Sequence, residues 1–225
     1  MSLRNKTVIQ IGSHIGNTKN DPLFTSVDET TRLILVEPVP YLFDQLKKNY
    51  ERKMNGATDN IVFINKAVSN FTGEIELTIV SPKNDFDKFP SWASQLSSIN
   101  TTHIKAHLPN LMIETRKVPT TTLDAIVAEN GITEIELLQT DTEGHDHVIL
   151  MNYTYNVKPK RIMFEHKHMD GTFVAGEHYS DCLAFLRGMN YKMLYQDTED
   201  TLMEMRMISR EKLKENKKNN SNPFK

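Results

Sequence analysis

Reactive side chains gather where two apolar runs end. Residues 137–146 (LLQTDTEGHD) pass from leucines into Asp141 and Glu143, then Gly144, His145 and Asp146. Residues 161–168 (RIMFEHKH) close on Glu165, His166 and His168. Surface carboxylates are most often only solvated. These stand at the ends of apolar runs, where an interior strand would deliver them to a functional rim. There they can take up a proton, orient a hydroxyl or hold a cation. Asp141, His145 and His166 are the candidate bases. An imidazole has a suitable pKa near neutrality as it stands, whereas an aspartate needs its surroundings to raise it. Asp141 and Glu165, with His166 as a third ligand, also form a candidate set for Mg²⁺ or Mn²⁺, which would lower the pKa of a bound hydroxyl.

Three further clusters read as ligand contacts. Residues 8–16 (VIQIGSHIG) run from a strand into two glycines four apart, Gly12 and Gly16. That pattern lets backbone approach a ligand closely, although a plain turn has the same appearance. Glu37 follows the apolar run at 32–36 (RLILV) and precedes Pro38. A carboxylate there can accept both hydroxyls of a ribose; the simpler reading is a charge favouring a helix N-terminus. Residues 65–69 (NKAVS) close a third run, and Ala67 and Val68 are small enough to line a flat slot for a purine.

The elements that must position these groups alternate in type. Strands are expected at 7–12, 32–36, 60–64, 74–80, 134–140 and 161–164, with a final pair at 191–195 and 202–207. Helices are expected over 41–50, 122–127, from about His145, and over 179–187. Residues 81–109 lack periodicity and read as a substrate wall or lid. The tail at 211–225 is polar, charged and aperiodic, and is expected to be disordered. Strands spaced by helices imply an α/β fold: one mostly parallel sheet with helices on both faces and an antiparallel edge hairpin, in a single domain over 1–210. Ligands on such a sheet bind beyond the carboxyl ends of the strands, where these clusters fall.

Bulk properties narrow the partners. A chain of 225 residues with 38% hydrophobic content can bury a full core. With 27 basic and 29 acidic residues there is no general field for nucleic acid or an anionic membrane. No run reaches membrane-spanning length, the first residues lack a signal-peptide pattern, and the single Cys182 precludes an internal disulfide. A soluble cytoplasmic protein acting on a small molecule is the expectation, with no reading of its oligomeric state.

The motifs, in their order, resemble the FkbM family of S-adenosylmethionine-dependent methyltransferases. The resemblance rests on VIQIGSHIG, LILVEPVPYLFDQLKKN, NKAVSNFTG, VPTTTLDAI, LLQTDTEGHDHVIL and IMFEH, spanning residues 7–166. It implies a class I methyltransferase fold, a Rossmann-like seven-stranded sheet, and O-methylation of a sugar, glycan or related small molecule. Gly12, Ser13 and Gly16, with Gln10 beneath them, would surround the amino acid part of S-adenosylmethionine. Glu37 and Pro38 would meet the ribose, Ala67 and Val68 the adenine, and Asp141 the sulfonium and acceptor. Trp92, Gln95, Ser97, Ser98 and His103, with Glu143 and His168 at the rim, are candidate acceptor contacts. Gln10 stands where the family usually has an acidic residue, and Gln139 where it usually has a lysine. The alternative is therefore a degenerate binding scaffold that retains the fold.

Overall fold

The computed structural model describes residues 2–18, 21–90, 92–100 and 102–206. Met207 and the tail at 211–225 lie outside them. The first half runs β1 (Thr7–Ile11), α1 (Leu23–Ser26), β2 (Arg32–Val36), α2 (Pro40–Lys53), β3 (Ile61–Ile64), β4 (Ala67–Val68), β5 (Gly73–Val80), β6 (Ser97–Ser98) and α3 (His103–His107). It continues with β7 (Ile113–Thr121), α4 (Leu123–Glu129), β8 (Ile135–Thr140), α5 (Asp146–Asn152), β9 (Pro159–Glu165), α6 (Gly176–Gly188), β10 (Tyr191–Gln196) and β11 (Asp200–Met205).

The main sheet has seven strands in the order β10-β11-β9-β8-β1-β2-β3. Pairing is parallel from β9 to β3, and β11 and β10 are antiparallel. The order reverses between β1 and β8. This is the architecture of a Rossmann-like class I methyltransferase, with the expected edge hairpin.

Strand alternation assigns each side chain to a face. Ile9, Ile11, Ile34, Val36 and Leu138 pack with α4, α5 and α6. Val8, Leu33, Leu35 and Leu137 pack on the other face with Leu23 of α1 and Leu46 and Tyr50 of α2. Gln10 and Gln139 share the parity of this second set and lie opposite one another in the β1–β8 register. Their side chains therefore turn toward α1, where Gln10 meets Asp21.

A second sheet, β4-β7-β5-β6, was not expected. The run at 74–80 joins it instead of the main sheet, pairing antiparallel with β7. The sequence of β7, IETRKVPTT, carries three charges in nine residues and a proline, so it does not read as a strand. Pro119 is tolerated because β4 reaches β7 only at Thr120 and Thr121, leaving one side of Pro119 without a ladder. The segment at 81–109 is irregular as expected, with two 3-10 turns, β6 and α3 within it. Among the described residues no helix is long and apolar enough to cross a membrane.

Candidate active site

The centre of the site is where β1 and β8 end side by side. Asp141 N donates to Ile11 O at 3.0 Å, and Gly12 N and Ser13 N both donate to Val36 O at 3.0 Å. Gly12 has φ +80°, and a Cβ there would sit 1.8 Å from Asp141 O. Only glycine lets the two strand ends meet so closely. Gly16 has a different duty. Its missing Cβ makes room for Tyr50 and Leu46 of α2, and it lines neither of the cavities described here.

Two cavities open at this rim. The first, of about 690 Å³, is walled by Gly12, Glu37, Pro38, Ala67, Val68 and Asp141, which were expected as cofactor contacts. It is also walled by Leu77 and Ile99, supplied by the second sheet and the residue just beyond it. The second, of about 1570 Å³, is more polar and takes Gln10, Ser13, Asp21, Trp92, Glu165 and His168 among its walls. Gly12, His14, Asp141 and Glu143 border both cavities. Asp141 therefore stands where they meet.

Glu37 is pinned by backbone. Its Oε2 accepts from His14 N and its Oε1 from Val39 N, each at 2.8 Å. Asn65 Nδ2 holds the turn from behind by donating to Glu37 O at 2.8 Å. Each carboxylate oxygen keeps acceptor capacity for a further donor. Burial pushes the Glu37 carboxyl up to about 7, against the pull of those two amides.

The departure at Gln10 is answered by a residue that sequence reading missed. Gln10 Nε2 donates to Asp21 Oδ2 at 2.6 Å, and Leu23 N donates to Asp21 Oδ1 at 2.8 Å. Gln139 also hydrogen-bonds this carboxylate. Gln10 Oε1 is buried without a partner among the described residues. Asp21 and Gln10 thus both line the larger cavity, with the Gln10 amide oxygen itself buried. Burial raises the Asp21 carboxyl despite the three hydrogen bonds.

On the β8 side, Glu143 and Gly144 do not extend the strand. They form a tight turn with φ +54° and +101°. A Cβ on Gly144 would lie 2.6 Å from His168 O, so this glycine lets the turn lie against the end of β9. Thr142 N and Oγ1 donate to Asp146 Oδ2 at 3.1 and 2.6 Å, making buried Asp146 the anchor of the turn.

Asp141 is exposed to the cavities. The protein mass around it, then the charges of Glu143 and Asp146, hold its carboxyl well above the usual range. Glu165 is raised likewise by burial, then by Asp141 and Glu143. His145 borders the smaller cavity, with Nε2 3.0 Å from Ser69 Oγ; burial lowers it to about 4, making it a weak base.

His166 does not join the rim. Its Nδ1 lies 3.1 Å from Thr201 Oγ1, and its ring stacks on Tyr179 at 4.5 Å. The expected ligand trio of Asp141, Glu165 and His166 is therefore not assembled. Among the expected acceptor contacts, half-exposed Trp92 and buried His168 reach the larger cavity. Ser98 instead donates to Glu143 O at 3.1 Å. Gln95 closes the 3-10 turn Ala93–Gln95.

Solved structures to which the chain is similar include the fibrillarin/Nop5p complex, at TM-score 0.47 and 15% identity over 90% of this chain and 73% of that one. The Methanococcus jannaschii fibrillarin pre-rRNA processing protein gives 0.45 and 10% over 91% and 68%. A precorrin-6y C5,15-methyltransferase from Geobacter metallireducens GS-15 gives 0.42 and 8% over 90% and 79%. No curated protein matches the chain. The methyltransferase FkbM domain matches residues 10–193, taking in the second sheet and the main sheet from the end of β1 into β10, but not β11. The chain belongs to this family of S-adenosylmethionine-dependent methyltransferases.

Proposed function

We propose that this methyltransferase acts on a hydroxyl oxygen of a sugar, glycan or related small molecule, with Asp141 as the group that takes the acceptor's proton. The observation that carries the reading is the meeting of an apolar-walled cavity and a larger polar cavity at Asp141. The residues present fit the cofactor. Gly12 lets the ends of β1 and β8 close into one wall of the cavity, Glu37 offers acceptors for a ribose, and Ala67, Val68 and Leu77 line a slot for a purine. The carboxylate of Asp21, on the wall of the larger cavity and held by Gln10, suits the ammonium of the amino acid part.

When bound, S-adenosylmethionine supplies an electrophilic methyl group and departs as the neutral thioether. The chain's residues hold the acceptor oxygen toward that methyl and remove its proton. Asp141 suits proton removal, because its raised pKa brings a carboxylate nearer to neutrality. Neutral His145 and displaced His166 suit it less. The test is methyl-labelled cofactor offered to a panel of sugars, polyols and phenols. Label on a hydroxyl oxygen supports the reading. Label on nitrogen or carbon alone overturns it.

Two substitutions separate the ends of the cofactor. Glu37→Ala is expected to weaken both S-adenosylhomocysteine and methylthioadenosine by about 1.5–3 kcal/mol, the range for hydrogen bonds to a charged group. Asp21→Ala is expected to weaken only S-adenosylhomocysteine, because methylthioadenosine has no ammonium. Equal losses for both ligands in Asp21→Ala would sink its assignment.

The Glu37 carboxyl at about 7 adds a pH signature. Ribose hydroxyls donate to the ionised form, so affinity is expected to fall as pH drops from 8 to 6, by at most about tenfold per unit for one group. Calorimetry across that range should show the slope flattened in Glu37→Ala. For folding the sign is opposite. A raised carboxyl adds stability while protonated, and that contribution is lost between the ordinary value near 4.5 and about 7.

A further inference from the structure

Beside Asp141, on the wall of the larger cavity, three histidines and one carboxylate converge from distant parts of the chain. One ligand atom from each of His103, His107, Glu143 and His168 can be chosen so that all lie within 4.8 Å of one another. His103 and His107 are one turn apart on α3, at the i,i+4 spacing that puts two side chains on the same helix face. Glu143 comes from the turn after β8, and His168 from just beyond β9.

His103 Nε2 lies 2.6 Å from Glu143 Oε2, and its Nδ1 lies 3.1 Å from Thr172 Oγ1. Phe173 packs on the rings of His107 and His168 at 4.5 and 5.3 Å, forming an apolar cover. A hydrogen-bonded polar cluster would account for the His103–Glu143 contact. It leaves over His107 Nε2 and Glu165 Oε2, both buried and without a partner among the described residues.

We infer that His103, His107, Glu143 and His168 form a binding site for a late first-row divalent ion of the zinc class, which ties α3 to the rim of the acceptor cavity. Three imidazoles and one carboxylate favour Zn²⁺, Co²⁺ or Ni²⁺ over the oxygen-seeking Mg²⁺ and Mn²⁺ expected from the sequence. With bonds of about 2.0–2.1 Å, tetrahedral ligand atoms stand about 3.3 Å apart, so the set closes by roughly 1.5 Å at most on loading. The Thr172 contact fixes the His103 ring as ligand histidines require.

His168 must change more. Its Nδ1 accepts from Phe173 N at 2.9 Å, which places the proton of the neutral ring on Nε2. Coordination through Nε2 therefore requires the Phe173 amide to let go. The site borders the larger cavity, where under the proposed function the acceptor would lie beside Asp141, so its influence on acceptor binding rests on that reading. Ion binding itself does not.

The test uses the full chain, stripped with chelator and titrated with Zn²⁺ against a chromophoric competitor, then with Co²⁺ by visible spectroscopy. One equivalent is expected, with tetrahedral Co²⁺ bands and slower amide exchange in α3 but faster exchange at Phe173. His107→Ala is expected to bind at least about 100-fold more weakly. His178→Ala, which breaks the separate stacked pair of His147 and His178, should leave affinity unchanged. S-adenosylhomocysteine binding by each variant shows that it is folded, and its failure in the parent would count against the methyltransferase reading alone. Absence of one-equivalent binding in the parent would overturn the site. So would parent-like Zn²⁺ affinity in a folded His107→Ala.

Discussion

Replacing Asp141 by Asn lowers turnover by about 10²-fold or more, the scale of a positioned acid–base group, and leaves the melting temperature unchanged or slightly higher. The rate effect follows from position. Asp141 borders both cavities, and among the described residues no hydrogen bond ties up its carboxylate. The stability effect follows from the sign of its pKa shift. A carboxyl raised by its surroundings binds its proton more tightly in the fold than in the unfolded chain. It adds stability only while protonated, and that contribution fades as pH rises from the ordinary carboxylate range through the raised value. At neutral pH, asparagine therefore removes no stabilising charge.

His166→Ala gives the opposite pattern, with near-parent turnover and a lower melting temperature. Its loss breaks the contact with Thr201 and the stack on Tyr179 but touches neither cavity. Initial rates and thermal melts on the two variants decide the matter. Near-parent turnover in Asp141→Asn would remove Asp141 from the reaction.

Gly12→Ala has the second large effect, and it falls on stability and cofactor binding together. The added methyl meets Asp141 O at 1.8 Å, and the backbone at φ +80° disfavours any L side chain. The left-handed conformation costs about 1–2 kcal/mol, and crowding in a packed site about 1–3 kcal/mol more. For a chain of this size the sum lowers the melting temperature by roughly 5–15 °C. The ends of β1 and β8 must also separate, so S-adenosylhomocysteine affinity should drop at least about 100-fold, given that both cavities share this wall. Gly56→Ala is the control. It has a similar φ of +86° with nothing within 4 Å, so it should show the conformational cost alone. Equal melting temperatures for the two variants would show that the close approach at Gly12 is not what excludes a side chain.

The sequence by itself determined what depends on near neighbours. Strand period and flanking glycines placed Gly12, Glu37 and Asp141 at successive strand ends. Such ends lie on one rim whenever the strands are parallel, so the outline of the smaller cavity was legible. The helix over 122–127 was legible for a similar local reason, since Thr122 caps α4 by accepting from Ala125 N. The second sheet was not, because β7 is charged, half-exposed and interrupted by Pro119, and its pairing with β5 is what makes it a strand.

Tertiary structure also decided which polar residues meet. Asp21 accepts a hydrogen bond from Gln10 across a loop, and His103 reaches Glu143 from 40 positions away. Equally, it turned His166 toward Thr201 while His168, two residues on, entered the histidine cluster. After β9 the chain leaves the extended state, so alternation no longer tells which side chain faces the cavity. There the packing of α3, the 143–144 turn and Phe173 selects one histidine over the other.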